Sequence, residues 1–264
     1  MQRIISWNVA SVRARLPVLM DLITREEPDI VMLQETKSAE TRFPTMDFLA
    51  KGYYTILSGQ KMYNGVAILS RIPVQNPVYA LSGFEDQARF VQCETPGGIV
   101  LICVYVPNGT PPPTLAGDIT RLQYKLRWLQ ALREHVHGLM EQGRSVILAG
   151  DFNVIERDDD VYDPDVFRET ALMTDSVRQV WRDLLNLPLD NAVRRFNPDP
   201  HTYSFWDFQG GAWPRNNGIL LDAILTTSSL IPAVQNAQIY RDVRGWSGTS
   251  DHAPIGLILG QDIL

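Results

Sequence analysis

Cysteine, lysine and histidine are all scarce in this chain. Two cysteines among 264 residues cannot staple a disulfide scaffold, and Cys93 and Cys103 fall in two adjacent strand-like runs without ligand spacing. Both read as core thiols of a reducing compartment. No stretch approaches the roughly 18 consecutive apolar residues of a membrane span, and Gly and Pro are near ordinary usage, which excludes membrane-spanning and collagenous chains. The opening MQRIISWNVAS lacks the basic n-region, apolar core and small-residue cleavage site of a secretory leader. A cytoplasmic location and no membrane partner are the expectation. The net charge of −6 argues against binding driven by whole-molecule positive charge. It leaves room for a local basic track; the basic residues are nearly all arginine, with lysine only at positions 37, 51, 61 and 125, a bias that suits phosphate or equally reflects nucleotide composition.

What the chain does have is apolar content, 45%, enough for a sizeable core. Short β-branched runs read as strands: Ile4 to Val9, Ile30 to Leu33, Tyr53 to Leu57, Val66 to Ser70, Phe90 to Cys93, Ile99 to Val106, Val146 to Ala149, Ile219 to Leu225 and Ile255 to Leu259. Apolar residues at helical spacing over Leu16 to Arg25, Arg121 to Met140 and Ser176 to Leu187 predict helices. The expectation is one α/β domain over residues 1–264, without internal repeat, in which the proline-rich segment from Thr110 to Thr114 is a stiff surface loop. His135 and His137 lack a partner at helical spacing and are expected on a helix surface.

Four strand-like runs lead into a polar side chain of catalytic or ligand type: Asn8, Glu35, Asp151, and Asp251 with His252. Oxygen donors without a Cys or His cluster suit a hard cation such as Mg²⁺ or Mn²⁺. In GDFN, Asp151 and Asn153 stand two apart after a buried strand; they either face one reacting group or form a turn. Asp222 lies within the apolar run GILLDAIL and requires a partner, either His252 or backbone amides. Glu35 is an inner ligand or an ordinary loop start. Lys37 serves a phosphate or is solvated, and Tyr105 reaches a phosphate or caps a sheet edge. The aromatic group Tyr203, Phe205, Trp206, Phe208 and Trp213 lines a pocket or packs in the core. The acidic run from Glu156 to Asp165 lacks calcium-loop spacing and reads as a solvated loop. Arg121, Lys125 and Arg127 give a helix some positive charge, as a phosphate contact or a solvated face.

Taken in order, the segments SWNVASVRARL, PDIVMLQETK, NGVAILSR, ARFVQCET, VYVPNG, LAGDFNV, DDDVYDP, HTYSFWDF, LLDAIL and SDHAP span residues 1 to about 258. In that order they resemble the exonuclease III family of abasic-site DNA endonucleases, within the endonuclease/exonuclease/phosphatase superfamily. The resemblance implies a four-layer α/β sandwich, two mixed β-sheets face to face with helices outside. It implies that Glu35 binds a divalent metal, Mg²⁺ with Mn²⁺ as substitute, helped by Asn8 and Asp251. Asp151 positions or deprotonates water, Asn153 contacts the scissile phosphate, and His252, oriented by Asp222, polarises the phosphate or acts as base.

By the same resemblance Tyr105 and Asn108 match phosphate-contacting positions, with Tyr105 in the catalytic set, and Phe205, Trp206 and Leu221 form the pocket for a base-less sugar; Arg89 and Lys37 are further candidates for DNA phosphates. The implied partner of this monomer is double-stranded DNA with abasic sites or recessed 3′ ends. Three positions depart from the family pattern: Ala10 and Ser11 replace an acidic or amide residue followed by glycine, Leu220 replaces an arginine, and Ile219 stands where some members carry tryptophan. They bear on metal affinity and on the balance of endonuclease, exonuclease and phosphatase activities. Two other functions fit the same segments: a silent nucleic-acid-binding protein on this fold, or a phosphoesterase of the superfamily with another substrate.

Overall fold

A computed structural model describes residues 1–110, 117–260 and 262–264. The expected proline-rich loop lies outside the described residues for most of its length. Among the described residues twelve strands form two sheets of six. The first contains β1 (Gln2–Asn8), β2 (Ile30–Gln34), β3 (Tyr54–Ser58), β4 (Val66–Ser70), β11 (Val234–Ile239) and β12 (Ile255–Leu259), in the order β11-β12-β1-β2-β4-β3. The second contains β5 (Gln75–Val78), β6 (Phe90–Glu94), β7 (Ile99–Tyr105), β8 (Ser145–Asp151), β9 (Leu189–Asn191) and β10 (Asp222–Thr227), in the order β5-β6-β7-β8-β10-β9. Each sheet is mixed, because β1 runs parallel to β2 and β7 parallel to β8 while the other pairs are antiparallel.

The period of two along the strands decides what lies between the sheets. Ile4, Ile30, Met32, Ile68, Leu101, Cys103 and Ile147 face inward and form one core with both sheets contributing. Their neighbours Ile5, Val31 and Leu33 face outward under α1 (Leu16–Glu26), which contributes Leu19, Leu22 and Ile23. On the other side Ile102, Val104 and Leu148 meet Trp128, Leu129 and Leu132 of α3 (Thr120–Glu141) and Trp181 of α5 (Asp175–Leu185). Helix, sheet, sheet and helix make four layers, as the sequence implied. Strands buried on both faces explain the nearly continuous apolar runs. The remaining helices are short: α2 (Thr45–Ala50), α4 (Pro164–Phe167), α6 (Ala192–Phe196) and α7 (Ala212–Arg215).

Three strands have no counterpart in the sequence reading: β5, β9 and β11. All three are sheet edges, where polar residues, and in β5 a proline, guard an unpaired rim. Such segments carry little hydrophobic alternation to detect. The expected strand from Ile219 instead starts at Asp222, because Ile219 bridges to Phe205 and Val161 outside the regular ladder. Cys93 and Cys103 are buried free thiols, and burial pushes both up to about 12. His135 departs from expectation: half-buried against the second sheet, it meets Gln92 Oε1 at 2.7 Å and packs edge-on to Phe90. The acidic run is not wholly solvated either, since Asp160 is 2% exposed and pairs with Arg194. Among the described residues no helix is long and apolar enough to cross a membrane.

Gly150 places Asp151 at the end of β8, and a Cβ there would lie 1.9 Å from the Val104 carbonyl oxygen. Gly150→Ala is expected to lower stability by about 1–3 kcal/mol, read from the urea midpoint; an unchanged midpoint would show that β7 and β8 separate without cost.

Candidate active site

The carboxyl ends of β1, β2, β7 and β8 and the start of β10 reach one rim of the sandwich. Register fixes this convergence: Asn8 pairs with Gln34 just before Glu35, and Asp151 pairs with both Tyr105 and Asp222. Glu35 and Asn153 have φ of 49° and 51°, in the left-handed region that non-glycine residues avoid. These turns swing the two side chains out of their strand directions toward the rim.

Asn8 is fully buried and links the sheets. Its Nδ2 donates to Glu35 Oε1 and to Asp151 Oδ2, both at 2.9 Å, while its Oδ1 accepts from the Ala10 amide. Beside it, His252 Nδ1 lies 2.8 Å from Asp222 Oδ2, and His252 Nε2 lies 3.7 Å from Asp151 Oδ2. The partner of the apolar-run carboxylate Asp222 is therefore the imidazole, joined by the Ser204 hydroxyl at 2.6 Å. A carboxylate on Nδ1 fixes the ring so that Nε2 faces Asp151. The loop holding His252 is pinned to β1: Trp7 Nε1 donates to the His252 carbonyl and Ser250 Oγ to that of Asn8.

Burial and charge set the protonation states. Burial raises Asp151 to about 7, outweighing the opposing attraction of His252 and the Asn8 hydrogen bond. Burial alone would lower His252, but Asp222 and Asp151 outweigh it and raise the imidazole to about 10. Glu35 is lowered despite burial, chiefly by Lys37, whose Nζ lies 2.8 Å from Oε2, and then by Asn8. Burial, with the charges of Glu35 and Asp151, holds the Tyr105 phenol well above its ordinary value, and the Arg89 guanidinium lies 4.7 Å from that ring.

The GDFN segment forms the turn that its residue types allow. The Asn153 amide donates to Asp151 Oδ1 at 2.9 Å, a local turn, and that turn points the Asn153 side chain to Val106 O and Asn108. Phe205 lies with its ring centroid 4.9 Å from that of His252, and Ile219 and Leu221 continue the same apolar cluster. Trp206 is placed differently from its aromatic neighbour: fully buried, it packs on Trp213 and Tyr203 in the core, against the expectation that it lines a sugar pocket. Arg89 and Asn108 line a cavity of about 580 Å³ with Tyr63, Arg121 and Tyr124. Lys37 ends on Glu35, as described.

Lys125 overturns the solvated or phosphate-contacting reading. It is fully buried, and its Nζ donates to the carbonyls of Asn108, Asn153 and Ala171 at 3.1, 2.5 and 2.6 Å. Burial lowers it to about 7 while Asp151 opposes, and three carbonyl acceptors call for the three hydrogens of the ammonium. The signal was present in the sequence, since Leu122, Trp128, Leu129 and Leu132 put position 125 on the apolar face of its helix. Ser204, also missed, stands between aromatic residues, where nothing local distinguishes it.

Oxygen-rich donors at strand ends beside an oriented imidazole have the chemistry of a phosphoester hydrolase. The model of the endonuclease/exonuclease/phosphatase family matches residues 5–252. The DNA repair nuclease APEX1 of Danio rerio is 31% identical over 265 residues, 97% of this chain and 82% of the relative. An AP endonuclease structure from Archaeoglobus fulgidus superposes with a TM-score of 0.92 at 30% identity, covering 99% of this chain and 100% of the other. A structure of the 3′ phosphatase NExo from Neisseria bound to a product DNA hairpin gives 0.92 at 32% identity, covering 98% and 99%. The chain belongs to the endonuclease/exonuclease/phosphatase family. It is a DNA repair nuclease, a hydrolase of a family that normally uses a divalent cation.

Lys125→Met keeps an unbranched side chain, one atom shorter and without the ammonium, and leaves three carbonyls without their donor, each costing about 1–3 kcal/mol. The expected result is a lower melting temperature and a kcat reduced at least about tenfold, since Asn153 and Asn108 lose their common anchor. Full activity at unchanged stability would contradict the anchoring role.

Proposed function

We propose that this chain hydrolyses the phosphodiester on the 5′ side of abasic sites in double-stranded DNA, with 3′–5′ exonuclease and 3′-phosphatase activity at recessed 3′ ends. It acts as a monomer, one domain over residues 1–264, in the cytoplasm and on the nucleoid. One observation carries the reading: Asp151 stands between the Asn8 amide and the His252 imidazole, with Glu35 on the far side of Asn8. The Neisseria 3′ phosphatase, structurally similar throughout, is bound to DNA.

The donor set fits a hard cation. Glu35 and Asp251 offer carboxylate oxygens, and among the described residues no group of three or more His, Cys, Asp or Glu could hold a metal ion by itself. Such sparse ligation suits Mg²⁺, which keeps most of its water, with Mn²⁺ as substitute. Glu35 would hold it with Asp251, after Lys37 moves off Oε2, while Asn8 orients the carboxylate. When bound, the cation neutralises charge on the phosphate and on the departing 3′ oxygen.

The protein's own groups do the rest. Asp151, near neutrality in its proton affinity, accepts a proton from the attacking water. Protonated His252, held by Asp222, donates from Nε2 to a phosphate oxygen as negative charge builds. Asn153 has a second amide hydrogen for the phosphate, and Tyr105, kept neutral, is a further donor. Asn108, Arg89 and Lys37 meet neighbouring phosphates. Phe205, Ile219 and Leu221 offer an apolar recess to an extruded sugar, which an abasic nucleotide enters without any base to unstack.

The test is cleavage of a labelled duplex with one abasic site in Mg²⁺ and in EDTA, beside an intact duplex with recessed 3′ ends. The expected product is a nick 5′ to the lesion, metal-dependent and reduced at least about 10³-fold in Asp151→Asn. The rate is expected to rise with pH through about 7, as Asp151 ionises, and to fall through about 10, as His252 loses its proton. Folded protein that cleaves neither duplex would favour the silent binding protein or another phosphoester.

A further inference from the structure

A recess apart from the residues described above, a cavity of about 420 Å³, is lined by Ala14, Arg15, Phe208, Arg244, Trp246 and Thr249, with Gly248. Its walls are direct continuations of the catalytic segments. Arg15 follows Asn8 by seven residues at the start of α1, and Thr249 precedes Asp251 by two. Three side chains here hold polar atoms that are buried and have no hydrogen-bond partner: Arg15 Nε, Arg244 Nε and Thr249 Oγ1. Arg244 and Thr249 are only 7% and 6% exposed.

Buried polar groups are almost always partnered, and a buried cation without a contacting carboxylate is costlier still. Among the described residues no carboxylate lies within ion-pair distance of Arg15 or Arg244; Asp251 and Asp207 act on Arg244 only from further away. Arg244 does use Nη2, on the Trp206 carbonyl at 2.9 Å, which holds its guanidinium in place. Both guanidiniums lie against one ring, that of Phe208, at 5.6 and 5.3 Å from its centroid. Phe208 is 54% exposed, so the ring bounds the recess on its solvent side. Helix α1 opens at this point without a capping side chain on its N-cap, Arg15, which adds the positive end of its dipole. Two guanidiniums, that of Arg244 held in place, and a hydroxyl donor are the chemistry that recognises a phosphate.

We propose that this recess binds a backbone phosphate of the DNA substrate, separate from the scissile one, through Arg15, Arg244 and Thr249. The inference deepens the nuclease reading and rests on it for the identity of the ligand. It makes the contact an anchor that sets substrate affinity, with no part in the chemical step.

Thr249→Val and Arg15→Gln test it, since neither residue makes a side-chain hydrogen bond in the free protein that would be lost. Thr249→Val removes a buried unpartnered hydroxyl, so its melting temperature is expected to stay level or rise. Binding is measured in EDTA, without cleavage, on duplexes carrying a neutral methylphosphonate at one backbone position at a time. Both variants are expected to raise Kd and KM about three- to tenfold at unchanged kcat, and Arg15→Gln to reduce the slope of log K against log salt by about 0.9. One phosphate position whose neutralisation weakens the wild type is expected to become silent in the variants.

The proposal is overturned if no position becomes silent, or if the variants bind like wild type. A parallel titration with inorganic phosphate separates the sources: stabilisation of the wild type but not the variants, with every DNA position unaffected, would assign the recess to free phosphate and overturn the backbone contact. Because binding is read without turnover, absence of abasic-site cleavage would refute the nuclease reading separately from this one.

Discussion

Two sheets can only share a site if something holds their rims in register, and here that is the side-chain amide of Asn8. With no solvent exposure, it spends its two amide hydrogens on Glu35 from its own sheet and Asp151 from the other. A buried amide satisfied in this way is fixed in orientation, and it fixes two carboxylates that would otherwise repel. The inter-sheet core sets the spacing beneath, through Met32, Cys103 and Ala149. The rim inherits that rigidity, which is what a preorganised site requires.

Charge follows from the same arrangement. Three carboxylates, Glu35, Asp151 and Asp222, crowd one edge, and each has a different counterweight. Lys37 faces Glu35, His252 faces Asp222, and Asp151 is left with an amide and the more distant face of the imidazole. Burial raises the proton affinity of Asp151, and the His252 attraction and the Asn8 amide offset only part of it. In the proposed mechanism, environment alone divides like groups into ligand, base and orienting residue. Away from the rim, Lys125 plays the corresponding part for main chain, gathering three carbonyls from three separate loops under Asn153.

Much of this was legible in the sequence. Buried strands announce themselves by continuous apolar runs, and a polar residue directly after such a run, as at Asn8, Glu35 and Asp151, has nowhere to go but the rim. Asp222 demanded a partner, and spacing left two choices; only the register of β8 against β10 and the loop at Ser250 decide for His252. The order of ten short segments carried the family. What escaped were features with no local signature. Edge strands β5, β9 and β11 are polar because they are edges. Lys125 looks like any helix lysine until its apolar neighbours are counted on one face. Trp206 and Phe205 are adjacent in sequence yet opposite in role, since alternation sends one into the core and the other toward His252.

The measurement closest to the central claim is the single-turnover pH profile of Asn8→Ala on an abasic duplex. Loss of the amide removes a hydrogen bond that favours ionised Asp151, so the account predicts a slower step and an acid limb displaced to higher pH in a protein that still folds. A profile superimposable on that of the wild type would contradict it, and would mean that the two carboxylates are held and tuned by something other than Asn8.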